Sequence, residues 1–121
     1  MADELMAVMY GIPNCDTVKR ARAALDQRGE RYGFWDYKKQ GVPEDRLRAW
    51  IVEAGRDAVI QRRGTTWRKL DDATKALAET DDGAVRLLID NPSAIRRPVV
   101  EWPDGRLTIG FTNGEFCDID G

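Results

Sequence analysis

The sequence predicts an α/β fold, with β-strands in both terminal parts of the chain and a helical block between them. Three observations support this prediction. Residues 5–37 follow a strand, helix, strand pattern, residues 43–91 carry helical periodicity, and residues 95–111 contain two β-rich runs around a Pro-Asp-Gly turn. A chain of 121 residues fits one domain, 1–121, that can bury a core without disulfide or metal staples.

The composition argues against several classes of function. Charged residues make up 33% of the chain and the net charge is -2, so the overall balance favours neither nucleic acid nor a membrane surface as a partner. No apolar run approaches the roughly 20 residues that span a bilayer. Asp3 and Glu4 stand where a signal peptide would carry basic residues. We therefore expect a cytoplasmic protein.

The first third of the chain predicts a βαβ unit. Apolar residues 5–10 (LMAVMY) are typical of a buried strand, residues 11–14 (GIPN) interrupt it, and an apolar helical pattern follows. Aromatic-rich residues 32–37 (YGFWDY) favour a second strand, parallel to the first through a right-handed crossover. Ligands of such sheets bind beyond the carboxyl ends of the strands, which is where Cys15 falls.

Cys15 is a candidate nucleophile because it directly precedes the predicted helix. The unpaired N–H groups and the dipole of a helix place partial positive charge there, which favours a thiolate and can also hold an oxyanion. The chain has no His. Activation of the thiol must therefore come from the helix terminus and from Arg or Lys. The alternative is that Cys15 is an inert, apolar core residue.

The other cysteine, Cys117, lies near the opposite end of the chain. Two cysteines so far apart, in a chain without His, have the spacing of neither a zinc site nor a disulfide scaffold. We therefore expect no metal site.

The middle of the chain predicts a series of helices. Pro43 and the acidic residues after it begin an amphipathic helix that Gly55 ends. Its apolar stripe favours core packing over a groove for a partner. A helix over residues 71–79 follows, with three apolar residues expected to face inward: Ala73, Ala76 and Leu77. A further helix begins with Asp81 or Asp82 as its cap and stops at an Asn-Pro pair.

Arg62 and Arg63 lie between two of these helices, next to Gly64. Thr65 or Thr66 is expected to cap the helix that follows. An arginine pair at the break between two helices can offer its guanidinium groups to an anion. The alternative is a solvated surface pair.

The last third of the chain predicts a β-hairpin. Turn residues separate two β-rich runs, and apolar residues alternate in the second run as in a half-buried strand. Arg97 and Pro98 come just before the hairpin. A cis bond at this proline would hold Arg97 in a fixed direction. Residues 113–119 are not assigned.

Three segments together resemble a known family: residues 11–17 (GIPNCDT), residues 63–70 (RGTTWRKL), and residues 97–100 (RPVV) with residues 110–111 (GF). Their order resembles the thioredoxin-like fold as elaborated in the arsenate reductase (ArsC) family, most closely its YffB-type branch of small proteins described as glutathione-dependent thiol reductases. The resemblance covers about residues 6–111. It implies a thioredoxin-like βαβ…ββα sheet with a helical insertion between the two halves.

The resemblance also implies a mechanism. In arsenate reductases of this fold, the cysteine attacks arsenate, glutathione resolves the adduct as a mixed disulfide, and glutaredoxin completes the cycle. No bound cofactor is implied, since glutathione acts as a co-substrate and glutaredoxin as a partner. Cys15 matches the nucleophile of these enzymes. Arg97, beside a cis Pro98, matches the oxyanion clamp, and Arg63 or Arg62 matches a second clamp. Asn14 matches a residue that shapes the turn.

Two positions depart from the family pattern. The third arginine of the oxyanion site aligns with Gly110, which favours a thiol, a disulfide or glutathione itself as substrate over arsenate. Residue 18 is Val, so Cys15 lacks the Cys-x-x-Cys partner of thioredoxin-like and Spx-type proteins, and a cycle with an outside thiol is implied. Cys117 is expected to be a bystander. The alternative function is an Spx-like, non-catalytic regulator that binds a protein.

Overall fold

A computed structural model describes residues 6–119 of the chain. Leu5, the first residue of the predicted N-terminal strand, lies outside this range. The chain divides into two compact units, one formed by Met1–Gln40 with Arg97–Gly121 and the other by Gly41–Arg96. The assignment of one domain stays a prediction. In the described range, no helix is both long and apolar enough to cross a membrane.

The first unit contains the sheet, which has five strands over the described residues. They are β1 (Ala7–Gly11), β2 (Tyr32–Asp36), β3 (Val99–Glu101), β4 (Leu107–Thr112) and β5 (Glu115–Asp118), in the order β2-β1-β3-β4-β5. Strands β1 and β2 are parallel and are joined by helix α1 (Asp16–Gln27), whereas the other neighbours are antiparallel. The predicted βαβ unit and hairpin are confirmed.

Helix α1 packs against one face of this sheet. Its buried residues Val18, Ala21 and Leu25 form a cluster with alternate strand residues: Ala7, Met9, Val100 and Trp102. Burying a side chain such as Val18, near the start of α1, contributes about 1.5–3 kcal/mol, so this cluster holds the start of α1 at the end of β1. Because strand residues alternate between faces, Tyr10 and Glu101 lie on the opposite face.

A short helix, α2 (Tyr37–Gln40), replaces the predicted end of the second strand and the polar loop after it. Asp36 Oδ1 accepts a hydrogen bond from the backbone N–H of Lys38 at 2.8 Å. Such a side-chain turn bends the chain immediately after β2.

The second half of the sheet differs from the expected pattern in two ways. The short C-terminal helix that the resemblance implied is a strand, β5, because Asn113 (φ 55°) and Gly114 (φ 81°) form the tight turn that joins antiparallel strands. Strand β4 is buried on both faces rather than half-buried, since Thr108 is fully buried. Trp102 Nε1 donates to Thr108 Oγ1 at 3.0 Å, which satisfies this buried hydroxyl.

The second unit is helical. Its helices are α3 (Glu44–Ala54), α4 (Arg56–Val59), α5 (Thr65–Arg68), α6 (Asp72–Ala76) and α7 (Asp81–Asp90), with 3₁₀ turns at Leu77–Glu79 and Pro92–Ala94. Helix α3 ends before Gly55, as predicted. The largest buried side chains of this unit include Leu47, Trp50, Ile60, Leu87, Leu88 and Ile95.

Two predicted helix caps are wrong. Thr80, not Asp81 or Asp82, caps α7, and its Oγ1 accepts from the N–H of Gly83 at 3.0 Å. Both aspartates lie in the first turn, where the helix dipole favours negative charge. Helix α5 begins at Thr65, and extended backbone at Gly64 takes the cap position.

The predicted inward face of residues 71–79 is also wrong. Ala73, Ala76 and Leu77 are exposed, and Ala78 is the buried residue. The helix changes to a 3₁₀ turn at Leu77. A 3₁₀ turn has three residues per turn rather than 3.6, so the side that faces the core shifts along the sequence.

Candidate active site

Cys15 lies at the junction between β1 and α1. It occupies the cap position of α1 with extended backbone (φ -138°, ψ 127°), and its carbonyl accepts from the N–H of Lys19 at 2.9 Å. The side chain is half-buried and packs against the cluster beneath α1. Residue Asn14, in the bend just before it, is exposed. The Cys15 thiol is therefore fixed by side-chain packing and still partly accessible to solvent.

Arg97 reaches the same place from the other side of β1. The Arg97–Pro98 peptide bond is cis, as expected. Val99 pairs with Tyr10, so the residues before β3 lie next to the end of β1. The Arg97 side chain forms a hydrogen bond with the Cys15 thiol. Two predicted site residues far apart in sequence are thus in contact.

The environment of Cys15 favours its ionised form. Burial of the thiol raises its pKa, but the backbone N–H of Val18, the hydrogen bond and charge of Arg97, and the backbone N–H of Thr17 lower it. The lowering interactions outweigh burial, and the pKa of Cys15 lies below its ordinary value. Helix N–H groups and a neighbouring guanidinium are the usual means of producing a reactive thiolate.

Arg62 and Arg63, the arginine pair of the second unit, have different surroundings. Arg62 pairs with Asp57 at 2.9 Å, and its guanidinium lies 4.8 Å from the ring centroid of Trp67. Arg63 is exposed, and its backbone N–H donates to Gln61 Oε1. Because Arg62 is engaged in local contacts, Arg63 is the better candidate for the second clamp. That role for Arg63, like the role of Asn14, stays a prediction.

Gly110 stands where the resemblance would place a third arginine. Its φ of 103° lies in a region that residues with a Cβ rarely adopt, and its N–H donates to the carbonyl of Pro98 at 2.9 Å. An arginine at this position would strain the backbone that adjoins the cis proline.

Cys117 lies on β5, at the edge of the sheet. Strands β3 and β4 separate it from β1, which corresponds to about 14 Å at ordinary strand spacing. A disulfide requires Cα atoms within roughly 7 Å. Its thiol contacts Thr112 Oγ1 at 3.7 Å. This location supports the expectation that Cys117 is a bystander.

The sequence analysis missed a polar group on the sheet face opposite α1. Tyr10 Oη donates to Glu101 Oε1 at 2.8 Å, and the buried Tyr37 interacts electrostatically with both residues and with Arg97. The available signal was the position of Tyr37 at the carboxyl end of β2, the edge where ligands of parallel strands bind.

A cavity of about 480 Å³ opens beside the Cys15 loop in the first unit. Its lining combines two cations, one carboxylate and an aromatic ring: Pro13, Arg22, Phe34, Asp36, Lys39 and Gln40. The Arg22 guanidinium stacks 4.2 Å from the Phe34 ring centroid, and Arg22 Nε donates to Tyr32 Oη at 3.0 Å. Among the described residues, no group of three or more His, Cys, Asp or Glu could hold a metal ion.

Sheet order and the βαβ unit together define a thioredoxin-like fold, with a cysteine and an arginine in contact at the end of β1. Residues 10–119 match the model of the ArsC family. The chain therefore belongs to the ArsC family, which confirms the fold class and the resemblance.

Solved structures agree with this assignment. A structure described as YffB protein is 44% identical, with a TM-score of 0.81, and the match covers 88% of this chain and 92% of that one. An arsenate reductase (ArsC) related protein from Brucella melitensis is 38% identical, with a TM-score of 0.70 and coverage of 89% and 88%. These neighbours support a family of reductases.

Two curated relatives span nearly the whole chain. An uncharacterised protein from Haemophilus influenzae is 37% identical over 112 residues, which cover 92% of this chain and 96% of that protein. The global transcriptional regulator Spx from Staphylococcus saprophyticus is 26% identical over 113 residues, covering 92% and 84%. Proteins with a regulatory role thus share this fold.

Proposed function

We propose that this protein is a glutathione-dependent thiol reductase that uses Cys15 as its single nucleophile. One observation carries the proposal: Cys15 lies at the start of α1 in contact with the Arg97 guanidinium, and its pKa is lowered. Glutathione is a cytoplasmic reductant, so the proposal places the protein in the cytoplasm, where thiols are kept reduced.

The proposed cycle uses two outside thiols. The Cys15 thiolate attacks a disulfide R–S–S–R′, which forms a Cys15–S–S–R bond and releases R′–S⁻. One glutathione thiolate then attacks the Cys15 sulfur, releases R–S⁻ and leaves a Cys15–glutathione mixed disulfide. A second glutathione, or glutaredoxin, attacks the glutathione sulfur and restores the Cys15 thiolate. The disulfide gains two electrons and two thiols are oxidised.

The arginines give the site its preference for anions. Arg97 can stabilise the Cys15 thiolate as attacking and as leaving group, and a guanidinium also binds carboxylates and oxyanions. Arg63 is proposed as a second clamp. The cavity beside Pro13 has cationic and anionic groups that suit a zwitterionic peptide such as glutathione. With Gly110 in place of the third arginine, a disulfide is proposed over arsenate.

The test is capture at Cys15, measured by intact mass. Cys117→Ser protein, which retains one thiol, is incubated separately with oxidised glutathione and with arsenate. We expect a single glutathione adduct on Cys15 and a slower or absent arsenate adduct. Arg97→Ala should slow capture about tenfold, the effect of one pKa unit. Arg20→Ala, which removes an exposed charge from α1, is the matched control and should have little effect.

The second clamp is tested in the same assay. Arg63→Ala should slow capture and Arg62→Ala should not, because Arg62 is held by Asp57 and Trp67. Equal rates for wild type and Arg63→Ala would remove Arg63 from the site. Failure of both reagents to modify Cys15 would overturn the proposed function.

A second candidate is a protein-binding regulator without catalytic activity, as supported by the Spx relatives. The two candidate functions differ in the reactivity that they require of the Cys15 thiol. A reductase requires Cys15 to alkylate rapidly at neutral pH, whereas a slow, ordinary thiol would favour the regulator.

A further inference from the structure

The Arg22 side chain is held in place by aromatic residues rather than by a carboxylate. Its Nε donates to Tyr32 Oη at 3.0 Å, and its guanidinium lies 4.2 Å from the ring centroid of Phe34. Among residues 6–119, no carboxylate pairs with it. Several other arginines do pair with a carboxylate: Arg28, Arg48, Arg56, Arg62 and Arg106. The charge of Arg22 is therefore oriented and still available to an anionic ligand.

Arg22 lies on the same side of α1 as Cys15. The two residues are seven positions apart, which is two helical turns or about 10 Å along the axis. Side chains on a helix lean towards its N-terminus, so the Arg22 side chain extends towards the Cys15 end of α1. The cavity that Arg22 lines also includes Pro13, two residues before the thiol. The cavity therefore adjoins the nucleophile.

Strand β2 supplies another wall of this cavity and adds a carboxylate. Tyr32, Phe34 and Asp36 alternate on one face of β2, and the two aromatic residues pack against the cluster beneath α1. Asp36 pairs in register with Gly11, so it lies where the parallel strands β1 and β2 both end. One Asp36 oxygen accepts from the N–H of Lys38, and the other has no hydrogen bond from the described residues.

The cavity thus presents both signs of charge to one ligand. Lys39, from α2, adds a second cation and forms no ion pair with the described residues. A guanidinium matches a carboxylate through two parallel hydrogen bonds, and a carboxylate such as Asp36 binds an ammonium group. Asp36 would repel a phosphate, which has no positive charge. The combination favours an α-amino acid end, in which one carbon carries a carboxylate and an ammonium group.

We propose that this cavity binds the α-amino acid end of the thiol or disulfide that reacts with Cys15. Arg22, assisted by Lys39, binds its carboxylate, and Asp36 binds its ammonium group. These are specificity-determining residues, which select the compounds that reach Cys15 and take no part in the exchange of sulfur bonds. The link to Cys15 rests on the proposed function, whereas binding itself does not require a reactive thiol.

The binding test uses S-methylglutathione, a thioether that cannot exchange disulfides, with Cys15→Ser protein in a calorimetric titration. We expect Arg22→Gln to weaken the affinity about tenfold, the effect of losing a hydrogen bond between charged groups. Asp36→Asn should also weaken it, and the asparagine oxygen can still accept the hydrogen bond that bends the chain after β2. Arg20→Gln is the matched control: it removes the same charge from an exposed position of α1 outside the cavity and should bind like the parent.

An acetylated ligand tests the role of Asp36 separately. N-acetyl-S-methylglutathione lacks the ammonium charge, so it should bind the parent more weakly than S-methylglutathione does. Asp36→Asn should then change the affinity little, because the charge that Asp36 binds is already absent. An equal loss of affinity for both ligands in Asp36→Asn would remove Asp36 from the ammonium site.

Capture at Cys15 gives a second readout. Cys117→Ser protein is treated with oxidised glutathione and, separately, with hydroxyethyl disulfide, which is neutral and has no amino acid end. Arg22→Gln should lower the ratio of the two capture rates about tenfold. A general effect on the thiol would slow both reactions and leave the ratio unchanged, which would count against a role in specificity.

The outcomes distinguish the two proposals. Absence of binding to the parent, equal affinities in Arg22→Gln and Asp36→Asn, or the same loss in Arg20→Gln would each overturn this inference. Rapid capture of both disulfides by Cys15 would leave the proposed function standing in those cases. Binding that depends on Arg22 and Asp36, in a protein whose Cys15 reacts with neither disulfide, would support the binding site and overturn the proposed function.

Discussion

At the scale of single residues, the contact between Cys15 and Arg97 is the feature that the proposed chemistry requires. The thiol is half-buried, which alone would disfavour its charge, and two backbone N–H groups and one guanidinium reverse that effect. A group that is more acidic in the folded state than in the unfolded state links folding to pH.

The first prediction concerns that linkage. Between the folded and the unfolded pKa of Cys15, unfolding takes up a proton, so stability should rise with pH in this window. The stability that the Cys15 thiolate contributes is lost as the pH falls through its pKa in the folded state. It reaches its full value above the ordinary pKa of a thiol. In a Cys117→Ser background, the free energy of unfolding relative to Cys15→Ser should therefore increase from mildly acidic to alkaline pH. Urea denaturation at a series of pH values measures it.

Arg97→Ala supplies the control for this prediction. Since Arg97 is one of the groups that lower the pKa, the increase with pH should be smaller in this variant than in the parent. A difference between parent and Cys15→Ser that stays flat across the whole range would contradict the prediction.

At the scale of elements, helix α7 shows a local preference overridden by packing. Gly83 lies in its first turn, where helix propensity alone would favour Ala by about 1 kcal/mol. A Cβ at this position would lie 2.0 Å from the carbonyl oxygen of Leu77 and 2.9 Å from its carbonyl carbon. The obstacle is backbone and cannot rotate away.

The second prediction follows from that clash. Gly83→Ala should lower the free energy of unfolding by about 1–3 kcal/mol, the usual range for overpacking, despite the gain in helix propensity. Arg86→Ala, at an exposed position of the same helix, should change it by less than about 0.5 kcal/mol. Urea denaturation followed by circular dichroism measures both. Equal or greater stability of Gly83→Ala would show that the Leu77 turn relaxes freely.

At the scale of the whole molecule, the question is whether the two compact units unfold together. Leu25 is fully buried in the first unit and Leu88 in the second. The prediction of a single domain requires that damage to either core weaken one shared transition.

The third prediction tests this directly. Leu25→Ala and Leu88→Ala should each lower the free energy of unfolding by about 2–5 kcal/mol, through lost burial and the cavity left behind. Both should shift one transition, with coincident curves from near-ultraviolet and far-ultraviolet circular dichroism. Two separate unfolding transitions, of which Leu25→Ala shifts only one, would identify two independent domains.

Local signals were sufficient for much of this architecture. Apolar runs, helical periodicity and turn residues are short-range properties, so β1, α1, α3 and the hairpin could be predicted from them. The same signals failed at Leu77, where tertiary packing sets the inward face, and at Thr80, which competes with two aspartates for the cap. The Asn113-Gly114 pair is also a local signal, and it indicates the tight turn between β4 and β5.

For the candidate site, too, local features could be predicted from sequence and contacts between distant residues could not. Cys15 could be named as a candidate from sequence because it lies between a predicted strand and a predicted helix, and Arg97 could be named through its resemblance to a family motif. The contact between them and the burial of Tyr37 required the folded chain, since each depends on residues that strand pairing and packing bring together from distant segments. The contacts of Arg62 with Asp57 and Trp67 are local in sequence, but they depend on side-chain directions that the sequence pattern does not give.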